Sequence, residues 1–301
     1  MAIEGTLPPE FVEPLSCTLA RRGIYNARVV RQRSGKQGVC FIIEGHPGNE
    51  RVALKAMEPA RPRNTPESVE HEYRALKRFY ESSRMHSGVG APEPIGLFKE
   101  QLGYLMRYVD ASSVEDLLQA DLLNGKDLRT VAERIVSSLE LYHRSVDETY
   151  GDFHPLNVLI RPPLQIVLID PTPTSPFQQV IGDGDRYSPM SADMGYWTYS
   201  VTARSVKQTL RGSRLPARLY KLTSEMMACA SRAYPEEDSN EFSDAVYDVA
   251  ERYVARLKSQ PRLKDKVLGP LAQSRLNVLR MQSRDVMLER GGLLEQPQPS
   301  I

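Results

Sequence analysis

Cysteine is scarce in this chain. Cys17, Cys40 and Cys229 are scattered through 301 residues without paired spacing, which excludes a disulfide framework and a cysteine-based zinc site. Cys40 stands within an apolar stretch and reads as a small core residue. Long hydrophobic runs are missing as well: nothing in the sequence approaches the length that crosses a bilayer. The opening Met-Ala-Ile-Glu-Gly-Thr-Leu-Pro-Pro is not the basic-then-apolar pattern of an export signal. No membrane partner and a cytoplasmic location are therefore expected. Charge of one sign is lacking too, with Lys+Arg 39 against Asp+Glu 38 and a net charge of +1, so no global field draws the chain to nucleic acid. Basic residues do gather from Arg252 through Arg256, Lys258, Arg262, Lys264 and Lys266 to Arg275, Arg280 and Arg284. Without interleaved aromatics for base stacking they read as solvated helix faces, and nucleic acid is not an expected partner. No internal repeat is present.

What the chain has is 41% hydrophobic residues at a mean hydropathy of −0.42, enough for sizeable cores in a globular protein. From about Ile24 to Tyr108 the pattern is of strands interrupted by one helix, Glu67 to Tyr80, with Thr65-Pro66 suited to its cap and first turn. From Ser113 onward helical periodicity dominates, with helices expected through Asp116–Leu118, Leu128–Tyr142, Ala203–Leu210, Ala217–Ala233, Ser239–Lys258 and Leu263–Arg290. The boundary falls near Asp110, giving expected domains 1–109 and 110–301. The tail Leu294 to Ile301 reads as a frayed end.

One stretch interrupts the helical part. Val158-Leu159-Ile160 and Ile166-Val167-Leu168-Ile169 are β-branched apolar runs around Arg161-Pro162-Pro163-Leu164-Gln165, which predicts a hairpin. Asn157 then precedes the outgoing strand and Asp170 follows the returning one, so both emerge at the same end, with Asp152 in the loop that feeds them. Taken singly, Gly-Asp, Pro-Leu-Asn and Asp-Pro are ordinary turns. Together they offer two hard oxygen donors for a divalent ion and a carboxylate able to accept a hydroxyl proton, which is what phosphoryl transfer from a metal-bound nucleotide needs.

Gly151-Asp152-Phe153-His154-Pro155-Leu156-Asn157 resembles the catalytic loop of the protein-kinase-like superfamily, in the form carried by aminoglycoside phosphotransferases and similar small-molecule kinases. Tyr150 stands where that family usually has His, and Leu156 where Gly is frequent. The resemblance implies an α+β, bilobal fold, with a small antiparallel-sheet N-lobe holding one helix and a larger helical C-lobe. It implies Asp152 and His154 as catalytic residues, Asn157 and Asp170 as magnesium ligands, and ATP and Mg2+ as cofactors. Arg51-Val52-Ala53-Leu54-Lys55-Ala56-Met57 is similar to the family's lysine strand, with Glu72 as the helix partner of Lys55 and Glu70 as the alternative. Gly35 and Gly38 would form a glycine flap over the phosphates, and Gly103 to Asp110 would run into an adenine-binding hinge. Asp193 resembles the aspartate that braces the catalytic loop; a helix N-cap is its plainer reading.

The acceptor implied is a small-molecule hydroxyl, because His154 replaces the lysine of protein kinases, Gly151 replaces their arginine, and neither Ala-Pro-Glu nor an activation segment follows Asp170. Asp183, Asp185 and Glu236-Glu237-Asp238 are candidates to line the site of a cationic acceptor. The short connection from His143 to Asp152 favours a protein hydroxyl instead, which would make the chain an atypical Ser/Thr kinase. A third alternative is a silent nucleotide-binding module that regulates a partner.

Overall fold

The computed structural model describes residues 3–35, 37–123, 125–172, 187–209, 213–233, 239–259 and 263–292. It is mixed α+β and divides into two compact units, Met1–Met85 with Ala91–Asp110, and His86–Gly90 with Ala111–Ile301.

The first unit is built on a five-stranded antiparallel sheet of β1 (Tyr25–Ser34), β2 (Gly38–His46), β3 (Glu50–Met57), β5 (Pro94–Phe98) and β6 (Gly103–Arg107), in the order β1-β2-β3-β6-β5. Alternation along β3 assigns its two faces. Val52, Leu54 and Ala56 enter one cluster with Phe11, Leu15 and Leu19 of helix α1 (Pro9–Arg21). Met57 enters the other with Val69 and Leu76 of helix α2 (Pro66–Ser83). Lys55 has the parity of Met57, so period 2 turns it to the α2 side. Two helices therefore serve this sheet, where the sequence pattern predicts one; α1 is the addition.

α2 starts at a capping box. Thr65 accepts from the Ser68 N–H at 3.2 Å, and the Thr65 N–H donates to Ser68 Oγ at 3.0 Å, with Pro66 in the first turn. Its buried stripe is Val69, Glu72, Ala75, Leu76, Phe79 and Ser83. A carboxylate in such a stripe needs an opposite charge facing it.

The second unit joins a four-stranded sheet to a helical bundle. β4 (Val89–Gly90) pairs in parallel with β9 (Gln165–Leu168), which is why His86–Gly90 belongs to this unit. β8 (Val158–Arg161) and β7 (Ser112–Ser113) complete the order β4-β9-β8-β7. Helices α3 (Val114–Gln119), α4 (Gly125–Val146), α5 (Pro189–Thr209), α6 (Leu215–Ala233), α7 (Ser239–Ser259) and α8 (Leu263–Gly292) follow.

α5 begins fourteen residues before the expected Ala203. Every residue from Met190 to Thr198 is buried, so this part of the helix has no polar face to reveal its period. At Gly195 an added Cβ would stand 2.4 Å from Val249 Cγ1, so α5 and α7 approach closely there.

Three of the basic residues of α7 and α8 meet acids. Arg252 meets Asp248 at 3.2 Å, Arg280 meets Asp244 at 2.7 Å and Glu251 at 3.5 Å, and Arg284 meets Asp244 at 3.3 Å. Arg262, the side chains of Lys264 and Lys266, and the tail from Leu294 lie outside the described residues. Among the described residues, no helix is long and apolar enough to cross a membrane.

Candidate active site

In the first unit Lys55 Nζ lies 2.8 Å from Glu72 Oε2, with both side chains buried, and 5.6 Å from the ring centroid of Tyr104, its cross-strand neighbour. Glu70, the alternative partner, instead meets Arg74 and Lys99, each at 2.8 Å, and those cations hold its carboxyl below the usual range, Lys99 first. A buried ammonium held against one carboxylate oxygen is fixed in orientation.

The two glycines of the expected flap have local duties. The Gly35 N–H donates to Gly38 O at 2.7 Å inside the β1–β2 turn. Gly38 pairs with Met57 across the sheet, and an added Cβ would stand 2.1 Å from Ala56 O. Its missing side chain is demanded by the backbone of β3. At the expected hinge, the N–H groups of Arg107 and Tyr108 donate to Glu93 O and Arg51 O, at 2.8 and 3.1 Å.

In the second unit the β8–β9 register pairs Val158 with Leu168, and the Ile169 N–H donates to Asn157 O at 3.0 Å, extending the ladder by one rung. Asn157 and Asp170 therefore stand at one end of the hairpin. The chain is fixed again two residues past Asp170, where the Thr172 N–H donates to Tyr150 O at 2.9 Å. Between these anchors it turns sharply, and Asp170 takes a φ of 65°, a left-handed conformation that Asp tolerates better than most residues. Tyr150 makes the same connection from its side chain, its hydroxyl donating to Ile169 O. Tyr150 thus ties the Asp152 loop to the Asp170 turn.

The Asp152 loop is clamped from α5. Asp193 accepts the Tyr150 N–H at 2.7 Å on Oδ2 and the Gly151 N–H at 2.9 Å on Oδ1, while His143 Nε2, from α4, lies 2.8 Å from Oδ2. Asp193 is no N-cap, because Ser188 has that place, accepting from the Ser191 N–H at 3.2 Å. Gly151 has a φ of 86°, which only glycine adopts at little cost. The loop is also anchored by buried rings: Tyr142 to Tyr150 at 5.0 Å, Tyr150 to Phe153 at 5.8 Å and Phe153 to Trp197 at 5.0 Å.

Within the clamped loop, Asn157 Nδ2 donates to Asp152 O at 3.0 Å and to Asp152 Oδ2 at 3.3 Å. Its amide oxygen is left as the acceptor. His154 Nε2 lies 3.5 Å from Asp152 Oδ2. Tyr196, one turn beyond Asp193 on α5, hydrogen-bonds the Asp152 side chain. Burial first, and then the charge of Asp152, push that phenol far above its ordinary range.

The structure thus gathers Asp152, His154 and Asn157 on one loop, places Asp170 beside Asn157 through the hairpin, and pairs Lys55 with Glu72. Two contributors escape sequence reasoning. His143 is visible there only as the end of a helix, and Tyr196 only as a neighbour of Trp197. The signal available for Tyr196 was its i, i+3 spacing from Asp193. Asp183, Asp185 and Glu236-Glu237-Asp238 lie outside the described residues.

Among the described residues no three His, Cys, Asp or Glu side chains converge as a metal cage. One carboxylate and one amide oxygen at the hairpin's end suit a hard ion that completes its shell with phosphate and water, as magnesium does. No protein-family model matches the chain, and no curated protein sequence matches it. Among solved structures, the chain is similar to the kinase domain of maize sucrose-induced receptor kinase 1 bound to AMP-PNP, with a TM-score of 0.44 and 14% identity over 75% of this chain and 93% of that one.

Proposed function

We propose that this chain is a phosphotransferase of the protein-kinase-like superfamily, moving the γ-phosphate of ATP to a hydroxyl of a small molecule in the cytoplasm. The observation that carries the reading is the Asp152 loop: a carboxylate held by Asn157, on a backbone clamped by Asp193, beside the turn that carries Asp170. In the reaction the acceptor oxygen bonds to the γ-phosphorus, the bond from that phosphorus to the β–γ bridging oxygen breaks, ADP leaves, and Asp152 takes the hydroxyl proton. Asp170 and the Asn157 amide oxygen would hold magnesium, which supplies charge neutralisation at the phosphates. Lys55, oriented by Glu72, is assigned to the α- and β-phosphates. His154 adds a donor beside the base.

His154 in place of a protein kinase's lysine supports the small-molecule acceptor. One observation favours a protein hydroxyl instead: α4 ends at Val146, so the connection to Asp152 is short. Magnesium-dependent ATP consumption, measured with a panel of metabolites and antibiotics and separately with a cell-extract protein fraction, tests the two. Stimulation by a small molecule is expected. Asp152→Ala and Asp170→Ala should each lower turnover roughly a hundredfold or more, the scale of losing one preorganised electrostatic group. Unchanged turnover in a folded Asp152→Ala protein would remove Asp152 from the mechanism. Nucleotide binding without turnover would leave a regulatory module in place of an enzyme.

A further inference from the structure

We infer that Tyr196 is a positioning residue for the base, its hydroxyl holding the Asp152 carboxylate in the orientation that receives the acceptor's proton. The inference rests on the reading of Asp152 given above. Asp193 and Tyr196 are three residues apart on α5, so they stand on one helix face. Asp193 grips the loop's backbone at Tyr150 and Gly151, while Tyr196 reaches its working side chain two residues on. One rigid helix therefore sets both the path of the loop and the direction of its carboxylate.

Packing leaves Tyr196 little freedom. It is 4% exposed, and its ring lies 5.3 Å from that of Tyr253, 6.0 Å from Tyr199 and 6.5 Å from His154. Tyr199 and Tyr253 are themselves stacked at 5.2 Å, so the ring is held by neighbours that are held in turn. With its proton bound firmly by burial, the phenol acts as a fixed donor and not as a second base. Asn157 Nδ2 approaches the same carboxylate from its own loop. Two donors from different elements leave the carboxylate one orientation, and a base so held needs no reorganisation when the acceptor arrives.

The test uses the full chain, with magnesium and ATP, and reads ATP turnover. Tyr196→Phe keeps the ring and deletes the donor; kcat should fall about 10-fold or more while KM for ATP stays unchanged, the scale of a hydrogen bond to a charged group. Tyr247→Phe removes a comparably buried phenol that bonds Ser283 on α8, and it should leave turnover unchanged. The decisive comparison is Tyr196→Phe in an Asp152→Ala background. If Tyr196 acts through Asp152, the double variant is no slower than Asp152→Ala alone; a purely structural role would add its full cost. A wild-type kcat in Tyr196→Phe, or additive losses in the double variant, would overturn the inference while leaving the proposed activity standing. Wild-type protein with no ATP turnover under any acceptor would overturn both. Should Tyr196→Phe prove unstable, Tyr196→Trp, which keeps an aromatic N–H donor, should recover part of kcat; failure of both in folded protein, with kcat no different from that of Tyr196→Leu, would assign Tyr196 to packing.

Discussion

At Lys55 a contribution to stability can be separated by experiment from the proposed contact with nucleotide. Its side chain is 10% exposed and that of Glu72 3%, so the pair lies within the apolar layer between β3 and α2. Removing one partner of a buried pair is far more costly than replacing both with apolar groups. Lys55→Ala should therefore destabilise the protein by about 3–5 kcal/mol. The double variant Lys55→Met, Glu72→Leu should recover most of that loss, read as the midpoint of urea unfolding. Nucleotide affinity should not return with it, because only the ammonium can meet a phosphate. A double variant with wild-type stability and a wild-type KM for ATP would reduce Lys55 to a structural role. At this scale Asp152, Asn157 and Asp170 could be singled out by residue type and spacing, whereas Lys55 and Glu72 stood out only through the resemblance of their strand and helix to a known pattern. Apart from Asp193, their supports could not. Tyr150, His143 and Tyr196 act through a main-chain oxygen, a second carboxylate and a helix face, and such links span long stretches of sequence.

At the scale of elements, legibility followed periodicity. The β8–β9 hairpin could be read to within a residue because two β-branched runs flank a proline turn. The start of α2 was equally open through its cap and first-turn proline, while its end runs three residues past the expected Tyr80. α1 was concealed although Phe11, Leu15 and Leu19 recur every fourth residue, since Pro14 stands inside the helix and argues against one. The first half of α5 was concealed by burial on all sides. The glycines of the β1–β2 turn carry packing demands that their spacing in the sequence does not display. Gly38→Ala places a Cβ against Ala56 O and should lower the melting temperature, by about 1–3 kcal/mol in stability. Gly35→Ala meets its nearest atom at an ordinary 3.5 Å and should be close to neutral. A flap that works by backbone approach to phosphate predicts a different pattern, in which both variants raise KM for ATP at unchanged stability. Thermal melts and ATP titrations on the same two proteins separate the cases.

Across the whole molecule, buried phenols set a limit on the alkaline side. Burial is the leading cause that raises Tyr73 in the first unit and Tyr196, Tyr220, Tyr247 and Tyr253 in the second. Tyr247 is pushed up to about 12, with its hydrogen bond to Ser283 and the nearby Arg280 and Arg284 pulling the other way. An unfolded phenol ionises near 10. Between those two values the folded chain keeps a proton that the unfolded chain has released, so stability falls as pH rises through this window and is intact below it. For Tyr247 alone the loss amounts to about 2 kcal/mol by pH 12. Urea midpoints measured from pH 8 upward should stay level to about pH 9.5 and then drop steeply. Tyr247→Phe should be less stable than wild type at pH 8, having lost its bond to Ser283, yet its curve should fall less steeply above pH 10. Parallel curves for the two proteins would show that the Tyr247 phenol ionises in the folded state as freely as in the unfolded one, and that the packing around Ser283 does not exclude its charge.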